Sequence, residues 1–124
     1  MSLCIAAGGT IIALAATSFS LSWTHSVEKT EWVEKWTVVE HTLRLEEASV
    51  QGAGAGISLP DNARLHDGFW TYSPDLPPLR QLSLAASGAT ASPWTLCTNT
   101  SCLQLGEHLG ETINIWAAER CSQS

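Results

Sequence analysis

The stretch Phe19-Ser20-Leu21-Ser22-Trp23-Thr24-His25-Ser26-Val27-Glu28-Lys29-Thr30-Glu31-Trp32-Val33-Glu34-Lys35-Trp36 decides how this chain folds. Apolar and small polar residues alternate over 18–25, so Phe19, Leu21, Trp23 and His25 share one face of an extended strand. Alternation resumes over 31–39, with Trp32, Glu34, Trp36 and Val38 on one face, and residues 26–30 connect the two segments. If the two segments pair as a hairpin, their apolar faces must coincide to be buried together. Fourteen positions, Trp23 to Trp36, hold one histidine, three glutamates and three tryptophans. Such a concentration of a scarce, large side chain marks a core or a binding surface.

Strand signals continue outward from this hairpin. Towards the N-terminus, 3–6 and 10–15 read as strands about a turn at Ala7-Gly8-Gly9. Towards the C-terminus, 42–46 carries Leu43 and Leu45, and Ala48 and Val50 lead into Gly52-Ala53-Gly54-Ala55-Gly56. A short aromatic strand, 69–72, follows the turn Asp67-Gly68, and 73–78 holds three prolines and forms a loop. Segments 81–85, 94–97, 103–105 and 112–116 complete the series. No segment carries a sustained helical stripe. The expected fold is all-β, a small antiparallel β-sandwich or barrel of about 8–10 short strands. A length of 124 residues sets a single domain, 1–124, as the expectation.

Charge excludes some partners. With six Lys and Arg against twelve Asp and Glu, the formal net charge is −6, and no basic stripe is available for phosphates. Nucleic-acid binding and attachment to an anionic membrane surface are therefore not expected. No apolar run reaches the ~20 residues of a spanning helix, so an integral membrane protein is not expected either. The apolar segment 3–16 resembles a secretion leader in hydrophobicity, but nothing before Lys29 is positively charged and Gly8-Gly9 interrupts it. It reads as structure, with a poor leader cleaved after the alanines as the alternative.

Four cysteines leave three disulfide connectivities open. The simplest joins Cys97 to Cys102 across a hairpin and Cys4 to Cys121 near the chain ends; four reduced, buried thiols are the alternative.

Several groupings bear on chemistry. His25 and Glu34 are expected on the tryptophan-lined face near the same end of the hairpin, with Glu28 above them on the loop. A buried carboxylate requires a partner or stays protonated, and a neighbouring imidazole would supply one. The functional reading is a polar site in an aromatic pocket; the plain reading is a His–Glu hydrogen bond at the hairpin mouth. His25, Glu28 and Glu34 also offer one imidazole and two carboxylates to a metal, though at no recognised motif spacing. Glycine at alternate positions from Gly52 to Gly56 does not match the dinucleotide fingerprint, because Leu59-Pro60 follows and no helix begins. It bares one strand face for a ligand or marks a bulge. Trp70 and Tyr72 share a face beside the proline loop, suited to a shallow groove or to capping a core. Cys97, Cys102 and His108 lack a fourth zinc ligand, and no nucleophile elbow is present.

Three stretches together carry a resemblance: Trp23-Thr24-His25-Ser26-Val27-Glu28-Lys29 with Trp32 and Glu34; Val50-Gln51-Gly52-Ala53-Gly54-Ala55-Gly56; and Trp94-Thr95-Leu96-Cys97 with Cys102-Leu103. The chain resembles the bacterial family called domain of unknown function eighteen-fifty, over nearly its whole length. Relative to that family, Ala53 stands where a serine is common, and Glu34-Lys35-Trp36 keeps one acid of a common glutamate pair. Genes of the family often sit beside tripartite ATP-independent periplasmic (TRAP) transporters of the TAXI type. The resemblance therefore implies an accessory protein of solute uptake, with transporter subunits or a small solute as partners. It implies the periplasm, whereas the lack of a recognisable leader points to the cytoplasm. The expectation is a non-enzymatic binding module without a cofactor, contacting its partner through Trp23, His25, Ser26, Glu28, Trp32, Glu34, Trp36, Gly54, Trp70 and Tyr72. The alternatives are metal-dependent or acid–base chemistry at His25, Glu28 and Glu34, and a purely structural role for the polar pair.

Overall fold

A computed structural model of the chain describes residues 2–25, 30–51, 61–85, 93–106 and 112–121, without the side chains of His25 and Ala85. The described residues form eleven antiparallel strands in two sheets and no helix. They are β1 (Ser2–Ala7), β2 (Thr10–Leu14), β3 (Ser18–His25), β4 (Thr30–Val39), β5 (Thr42–Gln51), β6 (Arg64–His66), β7 (Phe69–Tyr72), β8 (Gln81–Ala85), β9 (Trp94–Cys97), β10 (Cys102–Leu105) and β11 (Thr112–Ala118). One sheet has the order β2-β1-β11-β8 and the other β10-β9-β3-β4-β5-β7-β6. The sheets stack as a sandwich and neither closes into a barrel.

Alternation builds the four-stranded sheet. Leu3 and Ile5 of β1 lie opposite Ala117 and Ile115 of β11, and these four are buried on the face turned to the other sheet. Ile113 of β11 extends the layer, and Leu84 and Leu82 of the edge strand β8 pair with Ile113 and Ile115. Gly8 and Gly9, both at positive φ, make the two-residue turn between β1 and β2, a backbone state that matches strand twist and favours glycine.

In the seven-stranded sheet, β3 and β4 pair as the alternation requires, with Phe19 opposite Trp36, Leu21 opposite Glu34 and Trp23 opposite Trp32. Strand β5 runs as one piece to Gln51, where the sequence suggested a stop near Glu46. Its apolar residues change parity midway, from Leu43 and Leu45 to Ala48 and Val50. A bulge absorbs the change: Trp36 pairs with Leu45 and Lys35 with Glu47, and Glu46 is the extra residue. All four apolar side chains thereby face inward and are buried. Strand β6 has no apolar alternation and was not expected; it forms because Asp67-Gly68 turns the chain back, pairing His66 with Phe69. The loop after β7 is pinned to β5 by two backbone hydrogen bonds between Leu43 and Leu79, of 2.6 and 2.8 Å.

The core joins Leu3, Ile5, Ile113 and Ile115 of one sheet to Phe19, Leu21, Trp36, Leu43 and Leu96 of the other. Two disulfides select one of the three open connectivities, Cys4–Cys121 and Cys97–Cys102. The first spans 117 residues, the second only five, between directly opposed residues of β9 and β10. Loop-closure entropy assigns about 4–5 kcal/mol to the long link and about 2 kcal/mol to the short one. Cys121→Ser is therefore expected to lower the unfolding free energy in denaturant titration by roughly twice as much as Cys102→Ser.

Candidate functional site

The register across the large sheet lines up its inward side chains in rows. One row runs Leu103, Leu96, Leu21, Glu34, Ala48 and Tyr72 through successive pairs of β10, β9, β3, β4, β5 and β7. The next inward row places Trp23 opposite Trp32, Trp32 opposite Val50, Val50 opposite Trp70 and Trp70 opposite Leu65. Trp94 of β9 lies against Leu105 and lines the same cavity as Trp23. On the other side of Glu34 stands Trp36, only 3% exposed and parallel to Phe19 at a centroid distance of 6.3 Å. Trp23 and Trp32 are likewise parallel, at 6.1 Å. Glu34 is thus a carboxyl set between two aromatic layers on the face that packs against the other sheet.

That position raises its proton affinity. Burial holds the Glu34 carboxyl above the ordinary carboxylate range, and the hydrogen bond from Trp36, whose Nε1–H donates to Oε1 at 3.2 Å, offsets part of the rise. Among the described residues no cation pairs with Glu34. The ion pairs Lys35–Glu47 and Arg44–Glu46, at 3.7 and 3.5 Å, involve exposed side chains on the outer face of the same sheet.

Beside Glu34 lies a cavity of about 410 Å³. Leu21, Trp23, Glu34, Trp36, Leu45 and Trp94 of the large sheet form its floor, and Leu82 and Leu84 of β8 form a wall from the opposite sheet. Leu76 and Leu79 complete it from the loop that the Leu43–Leu79 bonds hold in place. The volume suits a small organic molecule. Glu34 is the sole charged side chain among the described lining residues.

The expected site residues divide. Trp23, Glu34 and Trp36 meet at the cavity, and Trp32 stacks behind Trp23. The hairpin does not bring His25 and Glu34 to the same end. His25 pairs with Thr30, four residues along β3 from the Leu21–Glu34 pair, a backbone separation of about 13 Å. Ser26, Glu28, Gly54 and His108 lie outside the described residues. Trp70 and Tyr72 share the inward face of β7, but Tyr72 borders a second, more polar depression with Glu47, Arg64 and His66. The described residues contain no cluster of three His, Cys, Asp or Glu suited to a metal. Leu76, Leu79, Leu82, Leu84 and Trp94 were not anticipated as site residues. Their strand and loop positions were legible, but which of them face Glu34 depends on the stacking of sheets distant in sequence.

Two outcomes follow from this geometry. A native carboxyl with raised proton affinity subtracts stability as pH rises from the ordinary carboxylate range through its own higher value, and the loss persists above it. Glu34→Gln retains an acceptor for the Trp36 N–H. It is expected to melt above the wild-type protein at pH 7, with the gap closing near about pH 4. Gly106, at φ +79°, abuts Trp94, and a Cβ there would stand 2.8 Å from two atoms of the indole ring. Gly106→Ala is expected to cost at least about 1–2 kcal/mol in chemical denaturation from backbone strain, and to shift Trp94 in the cavity wall.

No curated protein and no solved structure matches the chain. Residues 19–105 match the family described as "Domain of unknown function (DUF1850)". The matched span reaches every strand of the seven-stranded sheet and contains Glu34 with its aromatic neighbours. This chain belongs to the DUF1850 family.

Proposed function

We propose that this protein is a non-enzymatic binding module that takes a small, largely apolar solute between its two sheets, as an accessory of a TRAP-type solute uptake system. The observation that carries the binding role is the cavity of about 410 Å³, whose described lining is one carboxyl among leucines and tryptophans. An apolar pocket of this size with a single convergent polar group is the usual form of a small-molecule site, and a half-buried carboxylate without a cationic partner is costly until one is bound. The transporter context rests on the family resemblance.

Acid–base chemistry by Glu34 is the second reading, favoured by its raised proton affinity. It is the weaker one, because no other titratable side chain lines the cavity among the described residues. A joint metal site with His25 is disfavoured by their separation along the hairpin.

The neutral fluorophore N-phenyl-1-naphthylamine tests the pocket. The wild-type protein is expected to bind it with about 1:1 stoichiometry, quenching tryptophan fluorescence. Leu84→Trp, which fills the cavity from the β8 wall, is expected to weaken binding at least about tenfold while circular dichroism stays unchanged. Absence of binding by the wild type, or full binding by the filled variant, overturns the pocket. Co-purification with the membrane subunits of a TRAP transporter tests the context separately; failure there removes the transporter and leaves the binding role.

A further inference from the structure

We propose that the solute is an organic cation: an alkylated ammonium group carried on an apolar body. The inference rests on the binding role of the cavity and adds the chemical class of its occupant.

Four features of the cavity select this class. First, its polar chemistry is one-sided. Glu34 offers carboxylate oxygens, and no Lys, Arg or His is among the described lining residues. An anionic occupant would meet like charge in a poorly solvated space with no compensating donor beyond indole N–H groups. Second, three of the wall residues are Trp23, Trp36 and Trp94. Indole faces attract cations more strongly than other aromatic side chains do, and desolvation increases the attraction. The parallel packing of Trp23 on Trp32 and of Trp36 on Phe19 holds two of these rings in place before any ligand arrives.

Third, among the described residues the cationic side chains on β4 and β5, Lys35 and Arg44, are committed to Glu47 and Glu46 on the outer face. Strand alternation keeps them on the side of the sheet away from Glu34. Among the described residues no cation faces Glu34, and a bound cation would supply the missing charge. Fourth, the whole chain carries a formal charge of −6, which favours the approach of cations at low ionic strength.

The same features exclude other cations. A hard metal ion requires several oxygen ligands, and the described lining residues offer one carboxyl. A bare ammonium is strongly hydrated and needs several acceptors in place of its lost water. Alkyl groups on nitrogen spread the charge and suit a pocket whose remaining surface is apolar, with the leucines of β8 and the pinned loop around the body of the molecule.

Displacement of N-phenyl-1-naphthylamine from the full chain tests the class. The competitors are hexyltrimethylammonium, hexan-1-ol and hexanoate, which share an alkyl body and differ in charge. Hexyltrimethylammonium is expected to displace the probe at a concentration at least about tenfold below that of hexan-1-ol, with hexanoate the weakest. Glu34→Gln keeps an acceptor for the Trp36 N–H, and its ratio of hexan-1-ol to hexyltrimethylammonium displacement concentrations is expected to fall to near one, whatever its affinity for the probe. The preference is also expected to decline in acid as the Glu34 carboxyl takes up its proton. Equal displacement by all three competitors, or an undiminished preference in Glu34→Gln, overturns the cation and leaves the pocket standing. If the wild type binds no probe, the pocket fails and the cation assignment falls with it.

Discussion

Glu34 stands on the inward face of β4 because strand register leaves it no other side. Trp32, Trp36 and Val38 share its parity, and burying those three side chains carries the carboxyl inward with them. The alternative, a one-residue slip, would turn three large apolar residues out to water and Lys35 and Val33 in. A fully buried aromatic is worth about 2–3 kcal/mol, which exceeds the cost of one half-buried, hydrogen-bonded carboxyl. The hydrophobic term decides the register, and the register decides that a titratable group sits in the interior.

The rest of the architecture accommodates that choice. The bulge at Glu46 lets β5 present Leu43 and Leu45 on one side of the irregularity and Ala48 and Val50 on the other, all inward. Without it, half of β5 would face the wrong way, and the row through Glu34 would lack its neighbour Ala48. The loop after β7, rich in proline and unable to join a central strand, is instead tied to β5 at a single bridge. That bridge holds Leu79 against the cavity. The smaller sheet supplies the opposite wall only through its edge strand β8. A seven-stranded sheet facing a four-stranded one cannot be matched side chain for side chain, and the space beside Glu34 lies where the edge of the smaller sheet meets the floor of the larger.

Electrostatics then separates the two faces of the large sheet. Outside, Lys35, Arg44, Glu46 and Glu47 pair in water, where such contacts contribute little to stability. Inside, one carboxyl sits among tryptophans with a single indole N–H as its hydrogen-bond partner among the described residues. The first arrangement is ordinary surface chemistry. The second sets one carboxyl at one point of an apolar cavity, and the proposed binding role rests on that combination.

The fold was legible because alternation is local. Phe19, Leu21 and Trp23 against Trp32, Glu34 and Trp36 can be read as a hairpin from period two alone, and the Asp-Gly and Gly-Gly pairs mark where the chain reverses. The continuation of β5 past Glu46 was less legible, since a change of parity reads equally as a strand end and as a bulge. The inward placement of Glu34 followed from the same local rule, but its companions did not. Sequence proximity nominated His25, whereas the register of β3 on β4 sets it four residues down the strand. Leu76, Leu79, Leu82, Leu84 and Trp94 reach the cavity from segments about 40 to 60 residues away in sequence. Sequence by itself determined which side of each strand is apolar, because burial acts on neighbouring residues two apart. Only the tertiary structure decided which apolar sides meet, because the stacking of two unequal sheets is set by the summed packing of the whole core.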